Sequence, residues 1–230
     1  ERLTSLWDYE KYGVPFREGG KIFYFRNDGL QNQSVLYSQD TLESEPSQVI
    51  DPNTFSDDGT VALADVEISP DGRYAAMAIQ DGGSDWRTVR LLEMETGEKL
   101  NEKIEWVKFS TMAWAADSSG FYYSRFPATE EGDEFQSLNK NQKIYFHAVD
   151  TPQTQDKLVY ARADKPEWLL IPGISDDGRY LIINAQTGSG GNQIAYLDLN
   201  LDGAEAVFVT DNFENEFSFV GNVDSLLIFR

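Results

Sequence analysis

The sequence contains no cysteine and a single histidine, His147. The absence of cysteine excludes disulfides, zinc–thiolate sites and thiol catalysis within these 230 residues. One histidine cannot build a three-histidine zinc site, and it would have to serve any hydrolytic triad alone. His147 lies in the alternating run 144–149, where a hydrogen-bonded structural histidine is the preferred interpretation. We therefore expect no catalytic residue, no metal site and no cofactor in this chain.

Basic residues and long apolar runs are also scarce. Asp and Glu number 39 against 19 Lys and Arg, which gives a formal charge of −20. This balance argues against binding to nucleic acid or to an anionic membrane, because both need clustered Lys and Arg. Apolar runs such as 169–172 and 226–229 are too short to cross a bilayer. A cysteine-free chain suits the cytosol and the periplasm alike, and we favour the cytosol.

A repeated turn followed by a short apolar strand is the main pattern that is present. Three clear copies of the turn occur at 69–74, 117–122 and 175–180, and a degenerate copy occurs at 18–21. Aspartate or proline within the turn and glycine near its end favour a tight connection between strands. Aligning Gly20, Gly72, Gly120 and Gly178 gives spacings of 52, 48 and 58 residues.

A second series of strands follows these turns, at 35–37, 89–92, 144–146 and 194–197. Helical spacing is confined to Leu3, Leu6, Trp7 and Glu10. Short aromatic and β-branched strands in a repeat of about fifty residues predict an all-β fold, a β-propeller of four-stranded antiparallel blades. We count four blades, with 220–229 opening a fifth. A solenoid is the structural alternative, but it would need more uniform repeats.

Three further segments partly match known functional motifs. Residues 82–86 resemble a nucleophile elbow but carry Trp86 where the second glycine is needed, so we predict a hairpin loop. The glycine-rich stretch 188–191 lacks the rest of a nucleotide-binding fingerprint and is interpreted as a tight turn. The acidic stretch 130–134 lacks the spacing of a calcium loop and is interpreted as a solvated surface segment.

Several longer strings are more specific than a generic propeller. They lie at 6–12, 23–37, 56–63, 83–86 and 107–114. The most distinctive are Asn-Asp-Gly-Leu-Gln-Asn-Gln at 27–33 and Ser-Asp-Asp-Gly-Thr-Val-Ala-Leu at 56–63. Together they resemble the propeller domain of the prolyl oligopeptidase, or prolyl endopeptidase, family, and the resemblance extends over essentially all 230 residues.

The resemblance implies a place in a larger enzyme. In that family a seven-bladed propeller caps an α/β-hydrolase domain, whose Ser-Asp-His triad cleaves short peptides after proline. Residues 1–230 would then be a propeller fragment of a serine endopeptidase, with the hydrolase domain outside this segment. The expected partners are short proline-containing peptides and the chain's own hydrolase domain, and the family favours a monomer. A chain that begins at Glu1 and ends within a blade agrees with the expectation of a fragment.

The resemblance also implies three substrate-binding residues, which line an apolar subsite for the residue two before the scissile proline. Phe109 takes the place of the family's subsite phenylalanine, and packing in a blade core is the alternative role for this ring. Leu169 stands where animal members have methionine, which keeps an apolar wall. Ser189 falls near a cysteine of those members and makes the wall more polar.

Three functions stay open from the residues. The first is the propeller of a prolyl oligopeptidase-like enzyme, which filters peptides and helps to bind them. The second is a related oligopeptidase for basic residues or a dipeptidyl peptidase, against which the string at 27–33 argues. The third is a stand-alone propeller that binds a protein partner. If the first holds, the charge of −20 predicts that basic peptides are attracted and acidic peptides repelled.

Overall fold

The computed structural model describes residues 2–128, 139–188 and 190–230. One helix, α1 (Arg2–Trp7), forms where the helical spacing was found. Short 3-10 helices follow at Pro52–Thr54 and Gln153–Gln155. The rest of the regular structure is antiparallel β-sheet, divided between two compact units, residues 1–101 and 102–230.

The first unit contains two blades. In the first blade the strand order is β1-β3-β4-β5, and β2 also pairs with β3. In the second blade β6, β7 and β8 pair in order, and Lys99 bridges Leu92 beyond β8. The strands are β1 (Lys11–Tyr12), β2 (Phe16–Glu18), β3 (Lys21–Asn27), β4 (Val35–Gln39), β5 (Ser47–Ile50), β6 (Ala62–Ile68), β7 (Tyr74–Gln80) and β8 (Arg87–Glu93).

The second unit contains two blades and a hairpin. In the third blade β9 and β10 both pair with β11, followed by β12 and β13. The fourth blade has the order β14-β15-β16-β17, and β18 pairs with β19. The strands are β9 (Ile104–Val107), β10 (Ala113–Trp114), β11 (Gly120–Arg125), β12 (Lys143–Ala148), β13 (Lys157–Tyr160), β14 (Leu169–Ile174), β15 (Tyr180–Gln186), β16 (Asn192–Asp198), β17 (Val207–Phe208), β18 (Phe219–Val223) and β19 (Leu226–Phe229).

This architecture confirms the predicted blades, four of them with the start of a fifth. Every strand expected from the two repeat series forms, extended by one or more residues.

The repeated turn is held by its own side chains. At 69–74 the Ser69 hydroxyl accepts a hydrogen bond from the Tyr74 N–H at 2.9 Å and donates to Asp71 at 2.6 Å. Gly72 has a φ of 72°, which glycine adopts without a Cβ penalty. The turn at 175–180 makes the same bonds at 2.8 and 2.6 Å. Local chemistry therefore explains why this turn recurs between the first two long strands of a blade.

The alignment of Gly120 with the turn glycines is wrong. In the third blade the turn occupies 115–120, and Ser118 takes the left-handed position with a φ of 59°. Asp117 accepts the N–H of Ser119 at 3.0 Å, as the aspartates of the other turns accept an N–H two residues on. Gly120 instead begins β11. A Cβ there would lie 2.0 Å from the carbonyl oxygen of His147, so close strand approach requires this glycine.

The central strand β15 of the fourth blade is buried on both faces. In β15, Leu181, Ile183 and Ala185 belong to a core shared with Ile144 and Leu170. The alternate residues Tyr180 and Ile182 belong to a second core with Phe219 and Phe229 of the terminal hairpin. Because both faces are apolar, the sequence of the strand is a nearly continuous hydrophobic run and does not alternate between apolar and polar residues.

The first unit uses the same arrangement. Its core joins Phe23 and Leu36 of the first blade to Ala75 and Met77 of the second. All four side chains are at most 1% exposed. Blades therefore stabilise one another by face-to-face packing within each unit.

Substituting two glycines that share one backbone conformation would measure how much the contact between turns contributes to stability. Gly97 and Gly178 both have a φ of 72°, but a Cβ at Gly178 would lie 2.3 Å from the Cβ of Ala116, whereas a Cβ at Gly97 meets nothing within 4 Å. We expect Gly97→Ala to lower the free energy of unfolding by about 1 kcal/mol through backbone strain alone. Gly178→Ala should cost about 2–4 kcal/mol, because overpacking is added.

Denaturant unfolding of the intact protein measures both changes. Adding Ala116→Gly to Gly178→Ala should remove the overpacking. The double variant should then lose only the free energy that backbone strain costs. Equal losses for the two single variants would contradict the contact between the turns.

Candidate functional site

Phe109 lies where the first strand of the third blade is interrupted. Both β9 and β10 pair with β11, with Val107 opposite Arg125 and Ala113 opposite Tyr122. The intervening residues 108–112 leave the ladder. As a result the side chain of Phe109 is 38% exposed, which is not the burial of a blade-core residue.

The backbone around the interruption is unusual for aromatic residues. Trp106 has a φ of 64° and Phe109 a φ of 53°, both in the left-handed region. Bulky residues rarely adopt this conformation, which costs about 1–2 kcal/mol for each residue. Such conformations persist only where the surroundings hold them, and they occur often at functional sites.

Hydroxyl groups replace the missing strand pairing. The Ser110 hydroxyl accepts a hydrogen bond from the backbone N–H of Ser124 at 2.7 Å, in the place of a ladder partner. The Thr111 hydroxyl donates to the carbonyl of Pro172 at 2.7 Å, and Ser124 donates to the carbonyl of Leu170. The segment that carries Phe109 is therefore fastened to strand β14 of the fourth blade.

Leu169 is the first residue of that strand. It is half-buried and lies opposite Gln186, which in turn lies opposite Asn192. Gln186 and Asn192, which bracket residues 187–191, therefore lie at the end of the fourth blade where Leu169 enters it. The structure thus brings Phe109 and Leu169 onto adjoining blades, with β14 as their common support.

Ser189, the third predicted site residue, lies outside the described residues. Its neighbour Gly191 donates its N–H to the carbonyl of Phe213 at 3.2 Å, and a Cβ there would lie 2.2 Å from the carbonyl oxygen of Asn215. The Asn192 amide also holds Phe217, with bonds of 2.8 and 2.6 Å to its carbonyl and N–H. The end of the glycine-rich loop is therefore fixed against the segment that leads to β18.

A cation between two rings fixes the residue before Leu169. The Arg162 guanidinium lies 4.6 Å from the ring centroid of Trp168 and 5.2 Å from that of Phe208. Two hydrogen bonds of 2.8 Å join it to Asp164. These bonds from Arg162 lower the pKa of the Asp164 carboxyl to about 2. The Trp168 side chain is thereby held at the entry to β14.

His147 is hydrogen-bonded, as predicted. Its Nδ1 lies 2.7 Å from Asp156, and both side chains are fully buried. The Tyr123 hydroxyl donates to the other oxygen of Asp156 and accepts from Gln153 at 3.1 Å. Burial, followed by the hydrogen bond to Asp156, raises the pKa of Tyr123 well above its usual range. This network lies within the third blade.

The structure describes one of the other two segments that partly match functional motifs. Residues 82–86 form the loop between β7 and β8, and the Ser84 hydroxyl accepts the N–H of Trp86 at 3.1 Å, so the predicted hairpin loop is confirmed. The acidic stretch 130–134 lies outside the described residues. In the part of the chain that the structure describes, no cluster of three His, Cys, Asp or Glu residues is arranged to hold a metal ion, and no helix is long and apolar enough to cross a membrane.

Blades of four antiparallel strands, packed face to face within each unit, define a β-propeller domain. The family model described as the prolyl oligopeptidase N-terminal beta-propeller domain matches residues 1–230. The chain therefore belongs to this family.

Named relatives agree with the family. The chain is 35% identical to a prolyl endopeptidase of Elizabethkingia miricola over 225 residues, which is 98% of this chain and 31% of the relative. It is 31% identical to the prolyl oligopeptidase ophP of Omphalotus olearius over 255 residues, covering 100% of this chain and 34% of the relative. The chain thus spans about a third of the length of these relatives.

Solved structures show the same fold. A structure from a study of two prolyl endopeptidases and their inter-domain dynamics superposes with a TM-score of 0.86 at 33% identity, covering 99% of this chain and 32% of that one. Prolyl oligopeptidase B from Galerina marginata, bound to a 25mer macrocyclization substrate, gives a TM-score of 0.87 at 27% identity, with coverages of 99% and 36%.

A half-buried acid on β6 was not found from the sequence. Burial, followed by the charges of Asp65 and Glu18, raises the pKa of Glu67 to about 7. Asp65 has a raised pKa for the same first reason, while Arg87 opposes its shift. All these groups belong to the first unit. Nothing in the local pattern Asp-Val-Glu distinguishes an acid on a solvated face from one on a packed face.

The raised pKa predicts a loss of stability as the pH rises. Between about pH 4.5 and 7, folded Glu67 keeps a proton that the unfolded chain has released, so the folded state loses stability through this interval. The free energy of unfolding of the native protein should fall between pH 5 and 8. Glu67→Gln should make this fall smaller by about 1–3 kcal/mol. Denaturant unfolding of the intact protein at both pH values tests this.

The exposed Glu45 supplies the matched control, because Glu45→Gln makes the same chemical change in solvent. If Glu67→Gln and Glu45→Gln change the pH dependence equally, burial of Glu67 has no energetic consequence.

Proposed function

We propose that this chain is the propeller domain of a serine endopeptidase that cleaves short peptides after proline. Membership of the prolyl oligopeptidase propeller family supports this, together with relatives that are named prolyl endopeptidases. The catalytic α/β-hydrolase domain, with its triad, belongs to the parent protein outside residues 1–230. The role of this domain is to admit short flexible peptides and to help exclude water from the reaction.

The propeller also contributes to peptide binding through Phe109, Leu169 and Ser189. The observation that carries this assignment is the exposed Phe109 ring on an interrupted strand that is fastened to the strand beginning at Leu169. An apolar ring held on a strained segment, instead of being packed in a blade core, suits an apolar subsite. The subsite takes the residue two before the scissile proline, which gives selectivity without any reacting group in this domain.

Labelling of the native protein with a fluorophosphonate probe tests the enzyme class. A labelled band well above 26.0 kDa that an antibody to this segment recognises is the expected result. A single unlabelled band at that mass would overturn the peptidase assignment and favour a stand-alone binding module. Cleavage after Lys or Arg, or removal of dipeptides, would instead point to another branch of the family.

The proposed subsite predicts a selective kinetic defect. Phe109→Ala in the intact enzyme should lower kcat/KM about tenfold for a peptide with phenylalanine two residues before proline, because an apolar wall is lost. The peptide with glycine at that position should change little. Phe16 is a matched control, since it is 37% exposed against 38% for Phe109 but lies on β2 of the first blade.

The outcome that would contradict this assignment is equal behaviour of Phe109→Ala and Phe16→Ala on both peptides.

The acidic balance predicts a second kinetic effect. With a formal charge of −20, the domain should attract a lysine-containing peptide and repel a glutamate-containing one. Raising the ionic strength screens both effects, so kcat/KM should fall for the lysine peptide and rise for the glutamate peptide. Steady-state kinetics from about 20 to 500 mM salt measures the two slopes, and a neutral glutamine peptide is the control. Equal slopes for the charged peptides would contradict electrostatic selection.

A further inference from the structure

Gln142 lies between the two segments that carry the proposed subsite. It directly precedes β12 and is 2% exposed. Its Nε2 donates to the carbonyl of Lys108 at 2.8 Å and lies 3.4 Å from the carbonyl of Phe109. Its Oε1 accepts the backbone N–H of Leu170 at 2.6 Å. One side chain therefore connects the strained segment at Phe109 to the strand that starts at Leu169.

The chemistry of this connection suits an amide. The carbonyls of the Phe109 segment need a donor, and the N–H of Leu170 needs an acceptor. A neutral carboxamide supplies both from one rigid plane, whereas an aliphatic group supplies neither and a carboxylate can only accept. In a buried place, each unmade bond would cost about 1–3 kcal/mol.

We propose that Gln142 is a positioning residue for substrate recognition, which sets the distance between Phe109 and Leu169 without touching the peptide. This inference rests on the proposed function, because it assigns the two apolar residues to one subsite. The bonds of Gln142 to Lys108 and Leu170 hold the two walls in register. A displacement of about 1 Å at such a wall is enough to weaken productive binding.

The test is a selectivity measurement on the intact enzyme. The ratio of kcat/KM for the phenylalanine peptide over the glycine peptide reports on the subsite, and effects common to both substrates cancel. Gln142→Leu should lower this ratio about tenfold, mainly through KM for the phenylalanine peptide.

Gln153→Leu is the matched control. Gln153 follows β12 as Gln142 precedes it, and its amide also bridges two segments, with bonds of 3.1 and 3.0 Å to the N–H and carbonyl of Glu105. This variant loses an equivalent amide bridge in the same blade, so it should lower stability but leave the selectivity ratio unchanged.

Gln142→Glu should show a pH dependence of the selectivity ratio that a merely structural role of Gln142 would not produce. The ionised carboxyl group cannot donate to the carbonyls of 108 and 109, but the protonated group can, while its other oxygen still accepts from Leu170. Burial raises the pKa of such a group. The selectivity ratio of Gln142→Glu should therefore recover toward the wild-type value as the pH falls, whereas that of Gln142→Leu should stay low at every pH.

The outcomes distinguish failure of the positioning role from failure of the proposed subsite. If Phe109→Ala and Leu169→Ala lower the ratio but Gln142→Leu behaves like Gln153→Leu, the positioning role is overturned and the subsite stands. If Phe109→Ala and Leu169→Ala leave the ratio unchanged, the subsite fails and the inference fails with it. Should Gln142→Leu not fold, an unchanged ratio for Gln142→Glu across the pH range overturns the positioning role.

Discussion

The constraint on which the structure depends is that a blade has two apolar faces. In β15, alternate side chains enter two separate cores, one shared with the third blade and one with the terminal hairpin. A blade without neighbours would leave both faces in water, at a cost of about 25 cal/mol for each Å² of apolar surface. Stability is therefore a property of stacked blades within a unit, and the close contact of Gly178 with Ala116 shows that the turns take part in the stacking.

The candidate site arises where this regularity is interrupted. A continuous first strand in the third blade would have placed residues 108–112 in the ladder with β11. Instead the backbone turns left-handed at Phe109, the Ser110 hydroxyl takes the place of a ladder partner for Ser124, and the Thr111 hydroxyl bonds to Pro172 of β14. The outcome is an aromatic side chain on a rigid support, which is the arrangement that a binding wall requires. The proposed role of this ring, as one wall of a subsite, rests on its exposure.

Buried polar groups divide into two kinds in this molecule. The network of His147, Asp156 and Tyr123 stays within one blade. Gln142 instead joins two blades at the end that carries Phe109 and Leu169. The two sets of polar groups therefore differ in whether they join segments of one blade or segments of two.

The sequence by itself determined the repeated turn, the strands and the number of blades, because each depends on residues close together in the chain. It failed at Gly120, where a glycine demanded by strand approach was taken for a turn glycine. Only the tertiary structure revealed the partners of Gln142, which lie 34 and 28 residues away in the chain, and the burial that shifts Glu67. Hydrogen bonds and desolvation depend on distance in space, and no local pattern records which distant segments a fold brings together.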